Sequence, residues 1–138
     1  MVDVELLALC TGESLAVYRV GPLVVKLLRP LHHFRRFPFE QSPRERLAEL
    51  AARERLSWSQ LDLDRAPLVI LPLVYCTAAN AIVSLAVAGR RGTIHDERRA
   101  RQLLRVFRPP LRLTDLHPDN LIVRDGRIFV IDFRVRLR

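Results

Sequence analysis

Residues 113–133 read Leu113-Thr114-Asp115-Leu116-His117-Pro118-Asp119-Asn120-Leu121-Ile122-Val123-Arg124-Asp125-Gly126-Arg127-Ile128-Phe129-Val130-Ile131-Asp132-Phe133. Two short apolar runs, 121–123 and 128–131, flank Asp125-Gly126. That pair favours a two-residue β-hairpin turn, because both central positions need positive φ. A hairpin of this size returns the chain to where it started. It therefore sets Asp132 beside Asn120 and Asp115, three oxygen-bearing side chains at one open edge. Carboxylate and amide oxygens suit Mg²⁺, a hard ion that completes its shell with water and substrate phosphates.

The next signal is a lysine. The chain uses Arg for 22 of its 23 cationic residues, and Lys26 is the exception. It sits in the apolar, strand-like run Leu23-Val24-Val25-Lys26-Leu27-Leu28. A compact ammonium fits where a guanidinium fork would not. Taken alone, it reads equally as a snorkelling charge at a strand end.

Asp115-Leu116-His117-Pro118-Asp119-Asn120-Leu121-Ile122-Val123, followed by Val130-Ile131-Asp132-Phe133, resembles the catalytic loop and metal-binding segment of the kinase-like superfamily. The form is that of bacterial aminoglycoside-phosphotransferase-like and lipopolysaccharide-core-kinase-like proteins. The resemblance implies an α+β fold: a protein-kinase-like small lobe of antiparallel sheet plus helix, followed by a minimal, truncated large lobe. It implies Asp115 as catalytic base, and Asn120 and Asp132 as holders of the metal ions that bridge nucleotide phosphates. Lys26 would grip the α- and β-phosphates, and adenine would lie against Leu71–Val74. The implied cofactors are ATP and Mg²⁺, and the acceptor is a hydroxyl of a sugar, a lipopolysaccharide core or another small molecule. A helix glutamate would pair with Lys26. Glu45 and Glu49 share one helix face four residues apart, and Glu49 is favoured because Glu45 already serves as a cap.

Three departures from the family pattern open a second expectation. Leu113 stands where such loops usually carry His, Arg134 follows Asp132-Phe133 in place of Gly, and six residues follow Asp132. A full kinase-like fold continues with an activation segment and several helices. The alternative is a catalytically degenerate binding module that engages an acidic partner through its arginines, or a chain whose large lobe a protein partner completes.

Composition bounds the class. A chain of 138 residues, 49% apolar and 28% charged, can bury a core and is not of disordered type. The expected organisation is one domain over 1–138, with the small lobe at about 1–75 and the hinge, helix and hairpin at about 76–138. A net charge of +8 favours anionic partners. Basic-aromatic interleaving over 29–41 can serve nucleic acid, but a loop whose aromatics pack on the domain is preferred, so nucleic acid is not expected. Cys10 and Cys76 are too few for a disulfide framework or a zinc site. Leu7–Cys10 lacks the cationic start of a signal peptide. The expected location is the cytoplasm, with the inner-membrane surface as a second place. Ala66 to Gly89 carries no charge over 24 positions. Pro67, Pro72 and Asn80 interrupt it, so no transmembrane span is expected. It reads instead as a buried strand at Val69-Ile70, a hinge at Pro72 and a short helix over 78–87.

Local signals place the rest. Strands are expected at 4–9 and 15–20 around Thr11-Gly12-Glu13-Ser14, the expected nucleotide-covering loop. Ser42-Pro43-Arg44-Glu45 opens a helix with an N-cap and capping box, whose apolar face would be Leu47, Leu50, Ala51 and Leu56. Thr93 caps a second helix over 94–107, which Pro109-Pro110 stops.

Overall fold

The computed structural model describes residues 2–31, 42–59, 65–105 and 111–137. The chain forms a mixed α+β structure that divides into two units. The first comprises Met1–Glu54 and Leu73–Ala86, the second Arg55–Pro72 and Val87–Arg138. The chain thus passes between the units more than once.

The first unit is built on a five-stranded antiparallel sheet. Its strands are β1 (Val4–Thr11), β2 (Ser14–Val20), β3 (Leu23–Leu28), β5 (Leu73–Cys76) and β6 (Ala81–Leu85), in the order β1-β2-β3-β6-β5. Between β3 and β5 the chain forms helix α1 (Pro43–Ser59) and strand β4 (Leu68–Ile70). Such a sheet with a helix is compatible with the small lobe of kinase-like proteins. Tight turns at Gly12-Glu13 and Gly21-Pro22 join the first three strands, and both glycines have positive φ, +52° and +56°. Lys26 lies on the central strand, opposite Val17 of β2 and Ile82 of β6.

The register sorts the sheet into two unlike faces, because opposed residues of antiparallel strands share a face. One face carries Lys26. The other is made of three apolar rows. The first runs Val4, Val20, Leu23, Leu85. The second runs Leu6, Tyr18, Val25, Val83, Val74. The third runs Leu9, Ala16, Leu27, Ala81, Cys76.

The helix expected over 78–87 is not formed. Residues 81–85 are strand β6, paired on both sides. The turn before it explains why. Asn80 adopts φ 47°, a conformation Asn tolerates better than most residues. Its Nδ2 donates to the carbonyls of Leu28 and Arg29, and its Oδ1 accepts from the Tyr75 hydroxyl at 2.8 Å. The turn is tied to the end of β3, and the β-branched pair Ile82-Val83 continues as strand.

Helix α1 begins at the expected cap residue: the Glu45 amide donates to Ser42 Oγ at 3.2 Å. Its buried face differs from the expected one. Leu47 and Ala51 are exposed, whereas Arg46, Glu49, Leu50, Arg53 and Leu56 are buried. The helix buries a charged stripe at helical spacing because those charges find partners.

In the second unit, β4 pairs in parallel with β10 (Arg127–Val130). Strand β10 pairs antiparallel with β9 (Leu121–Arg124), and β9 with β7 (Arg90–Arg91). The β9–β10 hairpin closes on Asp125-Gly126 with φ 52° and 73°, as its sequence requires. Val69, Leu71 and Phe129 form a buried cluster with Ala66, Val87, Ile122 and Ile131 against it. Strands β8 (Leu111–Thr114) and β11 (Arg134–Leu137) make a separate pair. Helix α2 (Ile94–Leu104) starts at Thr93, whose side chain and that of Asp96 form a reciprocal capping box. The expected extension of this helix to residue 107, and most of the basic-aromatic run 29–41, lie outside the described residues.

Residues 66–89 are spent on β4, β5 and β6. Among the described residues, no helix is long and apolar enough to cross a membrane.

Candidate functional site

Two backbone ties and one side-chain hydrogen bond gather Asp115, Asn120 and Asp132 in the second unit. Thr114 of β8 stands opposite Arg134 of β11, so the chain enters the loop beside the point where it leaves. The Asn120 carbonyl accepts from the Ile131 amide at 3.0 Å, which seats Asp132 next to Asn120. Asn120 Nδ2 donates to the Asp115 carbonyl at 2.7 Å. The loop between is a short 3₁₀ turn, Pro118–Asn120, with Pro in its first turn.

The surroundings hold this loop from several directions. Arg101 of α2 donates to the carbonyl of buried Leu116 at 2.9 Å. Arg91 pairs with Asp119. Gly92 donates to the Leu121 carbonyl at 2.9 Å, and a Cβ at Gly92 would stand 2.7 Å from Leu121 Cβ. Asp115 itself has φ 63°. Non-glycine residues in that region are uncommon and cluster at functional loops.

The hydrogen bonds orient the Asn120 amide. The atom 2.7 Å from a carbonyl oxygen must be the nitrogen, since two oxygens would repel. The same nitrogen lies 3.2 Å from His117 Nε2, which acts as acceptor when the ring proton is on Nδ1. Asn120 Oδ1 is thereby turned away from the Asp115 carbonyl. Asp115 Oδ1 lies 3.5 Å from the same His117 nitrogen. Asn120 is buried, Asp132 half-buried and Asp115 exposed. An amide oxygen and a carboxylate are hard donors that fit Mg²⁺. Among the described residues, no three His, Cys, Asp or Glu side chains gather as a metal-binding group, so such a site would lean on water and phosphate for its other ligands.

In the first unit, Lys26 is half-buried on β3. Of the two candidate helix glutamates, Glu45 is exposed and Glu49 buried. Glu49 Oε2 lies 3.0 Å from Arg46 Nη1. A charge group that sequence reasoning missed lies here. Glu13, from the expected nucleotide-covering turn, accepts from Arg53 Nη1 at 3.1 Å and from Arg46 Nη2. Burial alone would raise the Glu13 pKa. The Arg53 and Arg46 guanidiniums, the Arg53 hydrogen bond and Lys26 outweigh it and hold the carboxyl below its ordinary value. The sequence signal was present: Arg46, Glu49 and Arg53 recur at helical spacing, with an acidic residue in a tight turn upstream.

No family model and no curated protein match this sequence. Among solved structures, it is similar to Rv3197 of Mycobacterium tuberculosis, solved in complex with erythromycin, with a TM-score of 0.58 and 18% identity. The likeness is one of fold. It covers 94% of this chain and 45% of that one, so this chain spans a little under half the length of its structural neighbour.

Proposed function

We propose that this chain is an ATP- and Mg²⁺-dependent phosphotransferase acting on a hydroxyl of a small molecule. Sugars and the lipopolysaccharide core are the acceptor classes that the loop pattern suggests. The observation that carries the reading is that two backbone ties and the Asn120 side chain draw the Asp115, Asn120 and Asp132 segments together, with the Asn120 amide oriented by the Asp115 carbonyl and His117. A strand lysine in a five-stranded antiparallel sheet supports it. The mycobacterial neighbour was captured with erythromycin, a hydroxyl-bearing macrolide, which suits a small-molecule acceptor.

The roles follow from the chemistry of each group. Asp115 is exposed and would accept the proton of the acceptor hydroxyl. Asn120 and Asp132 would hold Mg²⁺, which when bound offsets charge on the nucleotide phosphates. Lys26 would grip the phosphates as a compact cation.

One observation favours a second reading, that of a degenerate binding module. The expected nucleotide-covering loop is a two-residue turn whose Glu13 is engaged by two buried arginines. Calorimetric titration of ATP, with and without Mg²⁺, separates the two readings. Metal-dependent binding in the wild type, lost in Asp132→Asn, is expected. A folded wild type that binds no nucleotide would overturn the phosphotransferase reading.

A further inference from the structure

The apolar face of the first sheet has no function in the chemistry above, since Lys26 lies on the opposite face. Its three rows contain no charged residue, and Tyr18 supplies the only hydroxyl. The face is open along its edge strands, although Ala16 and Ala81 within it are buried. Val4 is 64% exposed, Leu9 60% and Leu6 49% on β1, Val74 42% on β5, and Leu85 40% on β6. Scattered surface leucines need no explanation, but a continuous apolar sheet face marks an interaction surface.

We propose that this face is where a second copy of the chain docks, sheet against sheet, to form a homodimer. Three features point to a copy rather than to another occupant. The first is charge. The first unit carries eight cationic residues against seven carboxylates, a net +1, whereas the second carries fifteen against eight, a net +7. Two copies meeting through the first unit bring together the nearly neutral parts of a chain of net +8. An anionic membrane would instead select the other unit.

The second feature is relief. The row Val4-Val20-Leu23-Leu85 is uniformly large, whereas the row Leu9-Ala16-Leu27-Ala81-Cys76 dips at Ala16 and Ala81 on either side of Leu27. A twofold axis lying in the interface across the strands sets the high row of one copy over the low row of the other. Isologous interfaces need such self-complementarity, and packed sheets interdigitate in this way across about 10 Å.

The third feature is area. With strands ~4.8 Å apart and same-face residues ~6.8 Å apart, the rows span roughly 450 Å². Two copies present roughly 900 Å² of flat footprint, below the ~1,200–2,000 Å² of standard specific interfaces and in the size class of weak, transient ones. The dimer is therefore expected to be reversible and concentration-dependent.

Sedimentation equilibrium of the full chain tests the proposal. The wild type is expected to shift from monomer to dimer with rising concentration. The double variant Leu6→Glu, Leu9→Glu is expected to weaken the dimer more than tenfold, with an unchanged far-ultraviolet circular dichroism spectrum. Val74→Arg, on the opposite edge strand, is expected to act in the same direction and serves if the double variant does not fold. A wild type that stays monomeric at all concentrations overturns the proposal, including one that instead binds neutral phosphatidylcholine vesicles. A dimer that persists unchanged in folded variants overturns it too.

Discussion

Asn120 Nδ2 donates to the backbone carbonyl of Asp115 at 2.7 Å, across a loop of four intervening residues. One amide thus braces the loop and presents its oxygen in a set direction. Asn120→Ala removes both effects. The part-buried tie to the Asp115 carbonyl is lost, at a cost of about 1–3 kcal/mol in chemical denaturation, and Mg²⁺-dependent ATP binding is expected to vanish. His117→Ala should leave stability within about 1 kcal/mol. It releases one of the two acceptors that orient the amide, so only the metal-dependent part of ATP affinity is expected to fall. Equal loss with and without Mg²⁺ would contradict that role.

Lys26→Met is expected to weaken ATP binding at least tenfold, about 1.4 kcal/mol. Lys26→Arg should not restore it, because the guanidinium is larger and its donors diverge. Titration calorimetry of the two variants beside the wild type decides this. Full binding by Lys26→Arg would mean that the site reads charge alone.

Glu13→Gln removes the carboxylate that two buried guanidiniums share, while Arg46 keeps Glu49 at 3.0 Å. Removing one member of a buried ionic group typically costs about 3–5 kcal/mol, and urea denaturation is expected to report a loss in that range. The pH sign follows from the depressed pKa. The Glu13 contribution is fully present above the ordinary carboxyl value of 4.5 and is lost as pH falls below it. The variant should therefore show a flatter stability profile below that pH than the wild type.

Asp96 is held at about 2, chiefly by its hydrogen bond from Arg90 and further by the Thr93 amide and hydroxyl, against a partial burial that opposes them. Its contribution is complete above the ordinary value of 3.8 and disappears as pH falls toward 2. Asp96→Ala should cost about 1 kcal/mol near neutral pH through loss of the capping box. Arg90 is 57% exposed, so the ion pair itself adds little. Thermal melts between pH 2 and 5, on the order of the carboxyl range, are expected to lose their Asp96-dependent step in the variant.

Gly92→Ala tests the packing under the loop. The added methyl would stand 2.7 Å from Leu121 Cβ and 3.0 Å from the Pro118 carbonyl. Overpacking of this kind costs about 1–3 kcal/mol. Because Leu121 follows Asn120, the strain should also reduce Mg²⁺-dependent binding. A variant of unchanged stability and binding would show that the loop yields freely.

Much of the candidate site was legible because it is local. Asp125-Gly126 dictates its turn through backbone sterics, and the turn alone sets which residues face each other along β9 and β10. The caps at Ser42 and Thr93 were legible for the same reason, since each acts within three residues. The buried face of α1 was not. Leu47 and Ala51 match an apolar stripe by spacing, yet Arg46 and Arg53 are buried because Glu13, thirty-three and forty residues earlier, meets them. No helical periodicity contains that partner.

The sequence by itself determined the hairpin, the helix starts, the strand around Lys26 and the order of the chemistry-bearing residues, since propensity and turn sterics act over a few neighbouring residues. Tertiary structure decided the rest. Residues 81–85 became a strand because β3 and β5 flank them and Asn80 reaches back to Leu28 and Arg29. Glu13 became the half-buried ionic partner of two buried arginines because both converge from α1 on its turn. Both outcomes depend on hydrogen bonds and desolvated charges between segments distant in sequence, and these exist only once the chain has folded.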